Sequence, residues 1–412
     1  MLADTPFDEL EIRSVDGREQ AFFSALPNFL SDVIASSHYY RDLFADVDPT
    51  TVTNRQSLAK LPITRKSSLH DIQKSGNALG GLLTVPQGDL ARIFQSPGPT
   101  YDAEGTGDDW WGTARGLHAS GLRKGDILHN SFSYHMTPAG LMMESGARKI
   151  GAAVFPAGIG NTELQVQAIH DVRATCYTGT PSYLKKILET AESLGKDVTS
   201  LKNACVGGEG LMPDLRAAIE DHGIHCGQVY ASADLGNVAY ESIAREGLIV
   251  DERLIVEIVR PGTGDPVAEG EVGEVVVTVM RTGYPLIRFA TGDLSAVMQG
   301  PSPCGRTNMR LKGWMGRADQ TTKVKGMFVH PAQIAELVRR HPEIERARAV
   351  VSKTNDDDVL TVMCEAAVSD DGFVGKVTET ILNVCKLRGT AEVHPVGSLP
   401  NDGKVIDDIR GA

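Results

Sequence analysis

Between residues 18 and 45 the stretch EQAFFSALPNFLSDVIASSHYYRDLF places apolar residues at helical spacing, with Pro27 inside the run. The spacing predicts packed helices interrupted near that proline. From about residue 125 the pattern changes. GDILHNSF reads as a strand, GLMMESGARKIG as a helix, AAVFPAG as a strand, NTELQVQAIHDVR as a helix, ATCYTGTP as a strand and SYLKKILETAESLG as a helix. LKNACVGGE, MPDLRAAIEDHG and HCGQVYAS continue the series as strand, helix and strand. This alternation predicts a mostly parallel sheet with helices on its faces. In such sheets ligands collect beyond the carboxyl ends of the strands, and three of these strands run into TGTPS, GGEG and YASAD. These small, polar segments are the expected site loops, although plain strand-to-helix turns use the same residue types.

Residues 248–298 differ again: LIVDERLIVEIV, GEVGEVVVTVM and YPLIRFATGDLSAVM, separated by RPGTGDP and RTG, read as short strands and turns of a β subdomain. Beyond about 318 the order is strand (TTKVKGMFV), helix, strand, strand, helix, strand, a small α+β unit. The expected fold is therefore α/β, with a large domain over 1–317 and a second over 318–412.

The chain has 412 residues, 41% hydrophobic and 23% charged, with a net charge of −12. That size supports a full core in more than one domain, and the acidic balance argues against a nucleic-acid or membrane-surface partner. There is no apolar run of membrane-spanning length, and the start MLADTPFDELEIRS is acidic, so a cytoplasmic location is expected. Six cysteines lie scattered without C-x-x-C spacing and read as reduced, buried residues.

Two charge features carry chemistry. QSPGPTYDAEG (95–105) has the small polar residues Ser96, Gly98 and Thr100 of a phosphate loop, but two prolines remove N–H donors, and Asp102, Glu104, Asp108 and Asp109 follow where a lysine is needed. From Arg306 to Lys325 six basic residues stand against one acid, Asp319. Such a run is either a solvated face or a cationic strip suited to a polyanionic ligand.

In order along the chain, VYASAD (229–234), YPLIRFATGDL (284–294), GRADQTTKVKGMFVHPAQI (316–334) and LPNDGK (399–404) resemble the adenylate-forming enzymes, specifically the phenylacetate-CoA ligase branch. LPITRKSSL (61–69), TGTPSYL (178–184) and GGE (207–209) add weaker echoes, so the likeness covers nearly the whole chain. The resemblance implies a mobile C-terminal lid domain and a reaction in which a carboxylic acid attacks the α-phosphate of ATP. The acyl group then passes to CoA. It implies that Lys404 contacts the carboxylate and α-phosphate, and that Asp293 accepts both ribose hydroxyls. Arg317 lies over ribose and phosphate, Tyr230 stacks on adenine, and Gly208, Glu209, Ala231 and Ser232 line the nucleotide. Asp234 holds Mg2+, and Asp319 is the hinge of the lid. Gly207, Tyr134 and His135 border the acid, while Lys323, Lys325 and Gly326 flank the CoA path.

The chain departs from the family at several points. Tyr101 and Asp102 replace the last glycine and the basic residue of the phosphate loop, and Asp234 replaces a glutamate. Ser242, Ile249, Ser302 and Cys304 stand where many relatives place zinc ligands, so no structural zinc is expected. The leading expectation is an ATP-, Mg2+- and CoA-dependent ligase for a compact aromatic acid. The alternatives are an adenylating enzyme serving a carrier protein or an amine in trans, and a paralogue that binds nucleotide or acyl-CoA without activating ATP. Enzymes of this family are often homodimers, and the sequence leaves the oligomeric state open.

Overall fold

The computed structural model describes residues 5–410 except 75–77, 97–99, 319–321, 326, 330, 355–356 and 401–403; the side chains of Ser96, Lys323, Phe328, Ala332 and Asp357 are also outside it. Among the described residues the alternating region folds as a nine-stranded sheet. Five of its strands run parallel, in the spatial order Ala153–Pro156, Ile127–Asn130, Cys176–Gly179, Asn203–Val206 and His225–Ser232. Four antiparallel strands extend it: Gly236–Glu241, Leu248–Val250, Arg310–Leu311 and Val297–Met298. The chain steps from 127–130 outward to 153–156 and then returns to the other side at 176–179. The order thus reverses between 127–130 and 176–179, which opens a crevice beyond the carboxyl ends of these two strands.

A second sheet joins Thr64–Arg65, Leu286–Ser295, Gly273–Val279 and Leu254–Val259. Its residues Ile255, Val256, Val277, Leu286 and Phe289 share a core with the helix Val15–Ser36. That helix runs unbroken through Pro27, against the interruption its sequence predicts. An interior proline costs about 3 kcal/mol. Phe22, Phe23, Leu26, Leu30 and Val33 are all buried in the shared core, and each such burial contributes about 1.5–3 kcal/mol, so packing outweighs the lost bond.

Residues from Val324 to Ile406 build a core of their own. It lies between the sheet 390–394, 357–366, 344–354, 406–408 and the helices Pro331–Arg340 and Asp371–Cys385. TTKVKGMFV, expected as one strand, is a hairpin of Thr322–Val324 and Met327–Val329. Lys325, which follows the first strand, has φ +47°. No helix among the described residues is long and apolar enough to cross a membrane.

Candidate active site

Strand 225–232 brings Tyr230 to the edge of strand 286–295, which carries Asp293. A bulge between Tyr230 and Ala231 re-aims the end of the first strand, where Ser232 Oγ accepts the Leu235 N–H at 3.3 Å. The Tyr230 hydroxyl donates to Asp293 Oδ2 at 2.8 Å. Arg317 Nη1 and Trp314 Nε1 donate to Asp293 Oδ1 at 3.0 and 3.1 Å. A carboxylate has only acceptors, so three donors from three segments converge on one group. Gly292, at φ +77°, makes this possible: a β-carbon there would lie 2.6 Å from Arg317 Nη2. Burial, reinforced by the charge of Asp293, pushes the Tyr230 phenol well above its ordinary pKa and keeps it a donor. Trp314, 61% exposed, was not singled out in the sequence; its place three residues before Arg317 was the available signal.

Just beyond strand 225–232, Asp234 is 2% exposed and pairs with Lys66 Nζ at 2.6 Å. Burial alone would lower the Lys66 pKa, but the charges of Asp234, Asp102 and Asp293 together raise it. Lys66 therefore sits among three carboxylates that the sequence scatters widely. Arg281 braces the turn after Asp234 by donating to the carbonyls of Asp234, Leu235 and Tyr284, while its guanidinium lies 3.7 Å from the Trp110 ring centre. Burial, with the neighbouring charge of Arg253, brings its pKa down to about 9.

The segment expected as a phosphate loop is mostly a hairpin, Arg92–Ser96 paired with Thr100–Glu104; Gly98 lies outside the described residues. Its acids each face a cation or backbone N–H groups. Glu104 pairs with Arg92 at 3.0 Å and Asp108 with Lys149 at 3.5 Å. Asp109 accepts the N–H groups of Thr113 and Ala114, and buried Asp102 faces Lys66. The Gln95 N–H donates to the Met136 carbonyl at 2.9 Å, which ties the hairpin to the segment following strand 127–130.

That segment carries Tyr134 and His135. Tyr134 Oη accepts from Asn130 Nδ2 at 2.8 Å and is hydrogen-bonded to Glu144; burial and that carboxylate raise its pKa. His135 is exposed, and its N–H donates to Ser133 Oγ. The Gly207 N–H donates to the Gly179 carbonyl, and Glu209 Oε1 accepts the Ser182 N–H at 2.7 Å, so two of the three expected site loops, TGTPS and GGEG, meet. Gly208, at φ +80°, faces Phe132 and Thr180: a β-carbon there would be 3.6 Å from each. Behind them His129 is fully buried, stacked on Phe155 with its ring centre 5.4 Å away. Burial holds its pKa below the ordinary value near 6.5. The unfolded chain therefore takes up that proton first, and this contribution to stability is full above about pH 6.5 and lost as pH falls below it. A melting series from pH 7.5 to 5 should show a steeper acid loss for the wild type than for His129→Phe; equal slopes would rule this out.

Other sites lie elsewhere. Lys404 pairs with Asp407 at 2.8 Å, and Asp407 also holds Arg348 at 2.5 Å. Burial would raise the Asp407 pKa, but these two cations lower it overall. Lys404 lines a cavity of about 250 Å³ between Arg260, Asp265 and Glu271 on one side and Ile334, Val338 and Arg348 on the other. Tyr230, Asp293 and Trp314 share a separate space that their own side chains fill. The structure thus sets Asp234 and Asp293 about Lys66 but leaves Lys404 in another place. Asp319 and Gly326 fall outside the described residues, as does the Lys323 side chain; Lys325 is exposed and its N–H donates to Asp358 Oδ2 at 3.0 Å.

The cationic strip is dismantled by the fold. Arg306 is buried against Glu11 and Arg310 against Glu246 and three backbone carbonyls, while Arg317 serves Asp293. Ser302 Oγ lies 3.0 Å from Cys304 Sγ, and Ser242 also bonds that thiol. Burial would raise the thiol pKa, but these hydroxyls and Arg306 lower it overall; hydroxyls are not the thiolate and imidazole donors of a closed zinc site.

Residues 134–281 match the family model of the AMP-binding enzymes. The phenylacetate-coenzyme A ligase of Aromatoleum evansii is 32% identical over 359 residues, covering 83% of this chain and 79% of that protein. That of Escherichia coli K12 is 31% identical over 89% of this chain and 86% of its own length. The chain belongs to the phenylacetate-CoA ligase family, and hence to the AMP-forming acid–CoA ligases. Its fold is also that of 2-hydroxyisobutyryl-CoA ligase in the postadenylation state, with a TM-score of 0.73 over 98% of this chain and 94% of that one at 22% identity.

Proposed function

We propose that the protein activates a compact aromatic acid, phenylacetate- or benzoate-like, with ATP and Mg2+ and transfers the acyl group to CoA. The observation that carries this reading is the convergence of Tyr230, Arg317 and Trp314 on Asp293, with the Asp234–Lys66 pair beside it. Asp293 exchanges its protein donors for the ribose hydroxyls, and Arg317, released from it, turns to phosphate. The carboxylate oxygen of the acid attacks the α-phosphorus, the bond to pyrophosphate breaks, and the CoA thiol later displaces AMP from the acyl carbon. Asp234 has the hard oxygen that an ATP-borne Mg2+ takes as its protein ligand, and the ion would neutralise phosphate charge there. Phe132, Tyr134 and Met136 wall the acid, while Lys323, Lys325 and Gly326 border the CoA path. Residues 318–412 move as a lid about Asp319 to carry Lys404 to the reacting centre.

Lys66 answers the difficulty posed by the divergent phosphate loop, because it supplies the cation that the hairpin lacks. Lys66→Met should weaken ATP and pyrophosphate binding about 10- to 100-fold, the worth of one charge-assisted hydrogen bond, and AMP binding only slightly. Calorimetric titration with each ligand checks this; equal losses for ATP and AMP would place Lys66 elsewhere.

The function itself is tested by measuring pyrophosphate and AMP released from ATP and Mg2+ across a panel of carboxylic acids, with and without CoA. CoA-dependent AMP formation with aryl acids supports the reading. Pyrophosphate exchange that ignores CoA points to a carrier or amine acceptor. Silence across the panel, with AMP still bound, would reject ATP activation altogether.

A further inference from the structure

Gln165 lies on the inward face of the helix Thr162–Val172 and is 3% exposed. Its amide NH2 donates to the carbonyls of Gly158 and Gly160, both at 2.8 Å. Its Oε1 is 2.7 Å from Ser131 Oγ and 2.9 Å from His129 Nε2. Carbonyls only accept, so the NH2 must face the glycines and the oxygen must face Ser131 and His129. Both of those groups therefore donate, which fixes His129 as the Nε2–H tautomer. His129 Nδ1, buried and without a hydrogen-bond partner, is consistent with a ring that carries no second proton.

The network runs on to the crevice. The Gly158 N–H donates to the Asn130 carbonyl at 3.0 Å, and Tyr183 Oη donates to the Gly160 carbonyl at 2.7 Å. Asn130 in turn donates to Tyr134 Oη and to the Gly140 carbonyl, both at 2.8 Å, and accepts the Phe132 N–H at 3.1 Å. Ser131 N–H crosses the strand reversal to the Thr178 carbonyl at 2.8 Å. One amide thus joins the ends of strands 127–130 and 153–156, next to the reversal of strand order between 127–130 and 176–179, the place where an open α/β sheet binds its ligand.

We propose that Gln165 is a positioning residue for the acyl pocket: by fixing the segment from Ser131 to Tyr134 it sets the width of the crevice and so selects compact acids. The proposal rests on the acid-activating reading of the site. Gln165→Leu keeps the volume and removes all four bonds. It should raise the KM for the preferred acid at least about tenfold, leave the KM for ATP within about twofold, and shift relative kcat/KM toward bulkier acids. Hydrogen–deuterium exchange should rise in 130–136 and 157–161 and stay unchanged in 229–234. Ser131→Ala, which removes one contact with little volume, should shift both readouts the same way by less, and it carries the test if the leucine variant does not fold. Equal changes in the two KM values, or unchanged exchange in 130–136, overturn the proposal. A wild type silent with every acid refutes the ligase reading instead, and the exchange measurement then decides the role of Gln165.

Discussion

Lys404→Ala is expected to abolish acyl-adenylate formation while AMP binding stays within a few-fold. The reason lies in where the lysine rests. It pairs with Asp407 in the C-terminal unit and lines a cavity apart from the Asp293 cluster, so its removal leaves that cluster intact. Asp407 keeps Arg348 as a partner, so the variant is left without a bare buried carboxylate. The attack of a carboxylate on a phosphate joins two anions, and a cation met only in that transition state lowers the barrier without tightening the ground state. Losing one such contact costs about 10²–10³ in rate, and more where no other cation reaches the α-phosphate. Single-turnover pyrophosphate release and AMP titration on the same variant check the two halves. A supplied acyl-adenylate should still be converted to acyl-CoA, because that step begins from a mixed carboxylic–phosphoric anhydride already made. Unchanged pyrophosphate release would remove Lys404 from the mechanism.

How much of this was legible in the sequence depended on how local the cause was. The strand–helix series from 125 to 232 was readable because a parallel sheet repeats one short apolar run and one amphipathic helix many times. Pro27 misled, since a local penalty was overruled by burial against a sheet made some 230 residues later. Asp293, Tyr230 and Arg317 could be grouped from the sequence because each sits in a short motif, and the fold does bring the three side chains together. Lys66 could not be placed, because its meaning comes from Asp234, 168 residues away, and only the fold joins them. The partners of the four acids of 102–109 were hidden for the same reason: Arg92, Lys149, Lys66 and the N–H groups of Thr113 and Ala114 are brought to them by the fold. The basic run from Arg306 read as a surface, whereas Arg306 and Arg310 are interior ties to Glu11 and Glu246. Charge in a sequence window says nothing about which residues face inward.

The second large effect is expected at Asp293. Asp293→Ala should weaken ATP and AMP alike by about 10²–10⁴, because two charge-assisted hydrogen bonds to the ribose, each worth about 1.5–3 kcal/mol, are lost together. The loss also releases Tyr230, Arg317 and Trp314, three donors that meet on this one carboxylate. Arg317 is partly exposed and can turn to water, but the Tyr230 hydroxyl is deeply set and keeps only Thr291 Oγ1 at 3.3 Å. Asp293→Asn should be nearly as damaging, since an amide offers one acceptor where the site needs two and turns its NH2 toward donors already there. A nucleotide lacking ribose hydroxyls supplies the decisive comparison. The wild type should bind 2′-deoxy-ATP more weakly than ATP, and the alanine variant should no longer tell them apart, which is the signature of two groups that interact directly. Should the variant still prefer ATP by the full wild-type factor, the ribose is held elsewhere, and the cluster around Asp293 is a brace between strand 286–295 and Arg317 rather than the nucleotide site.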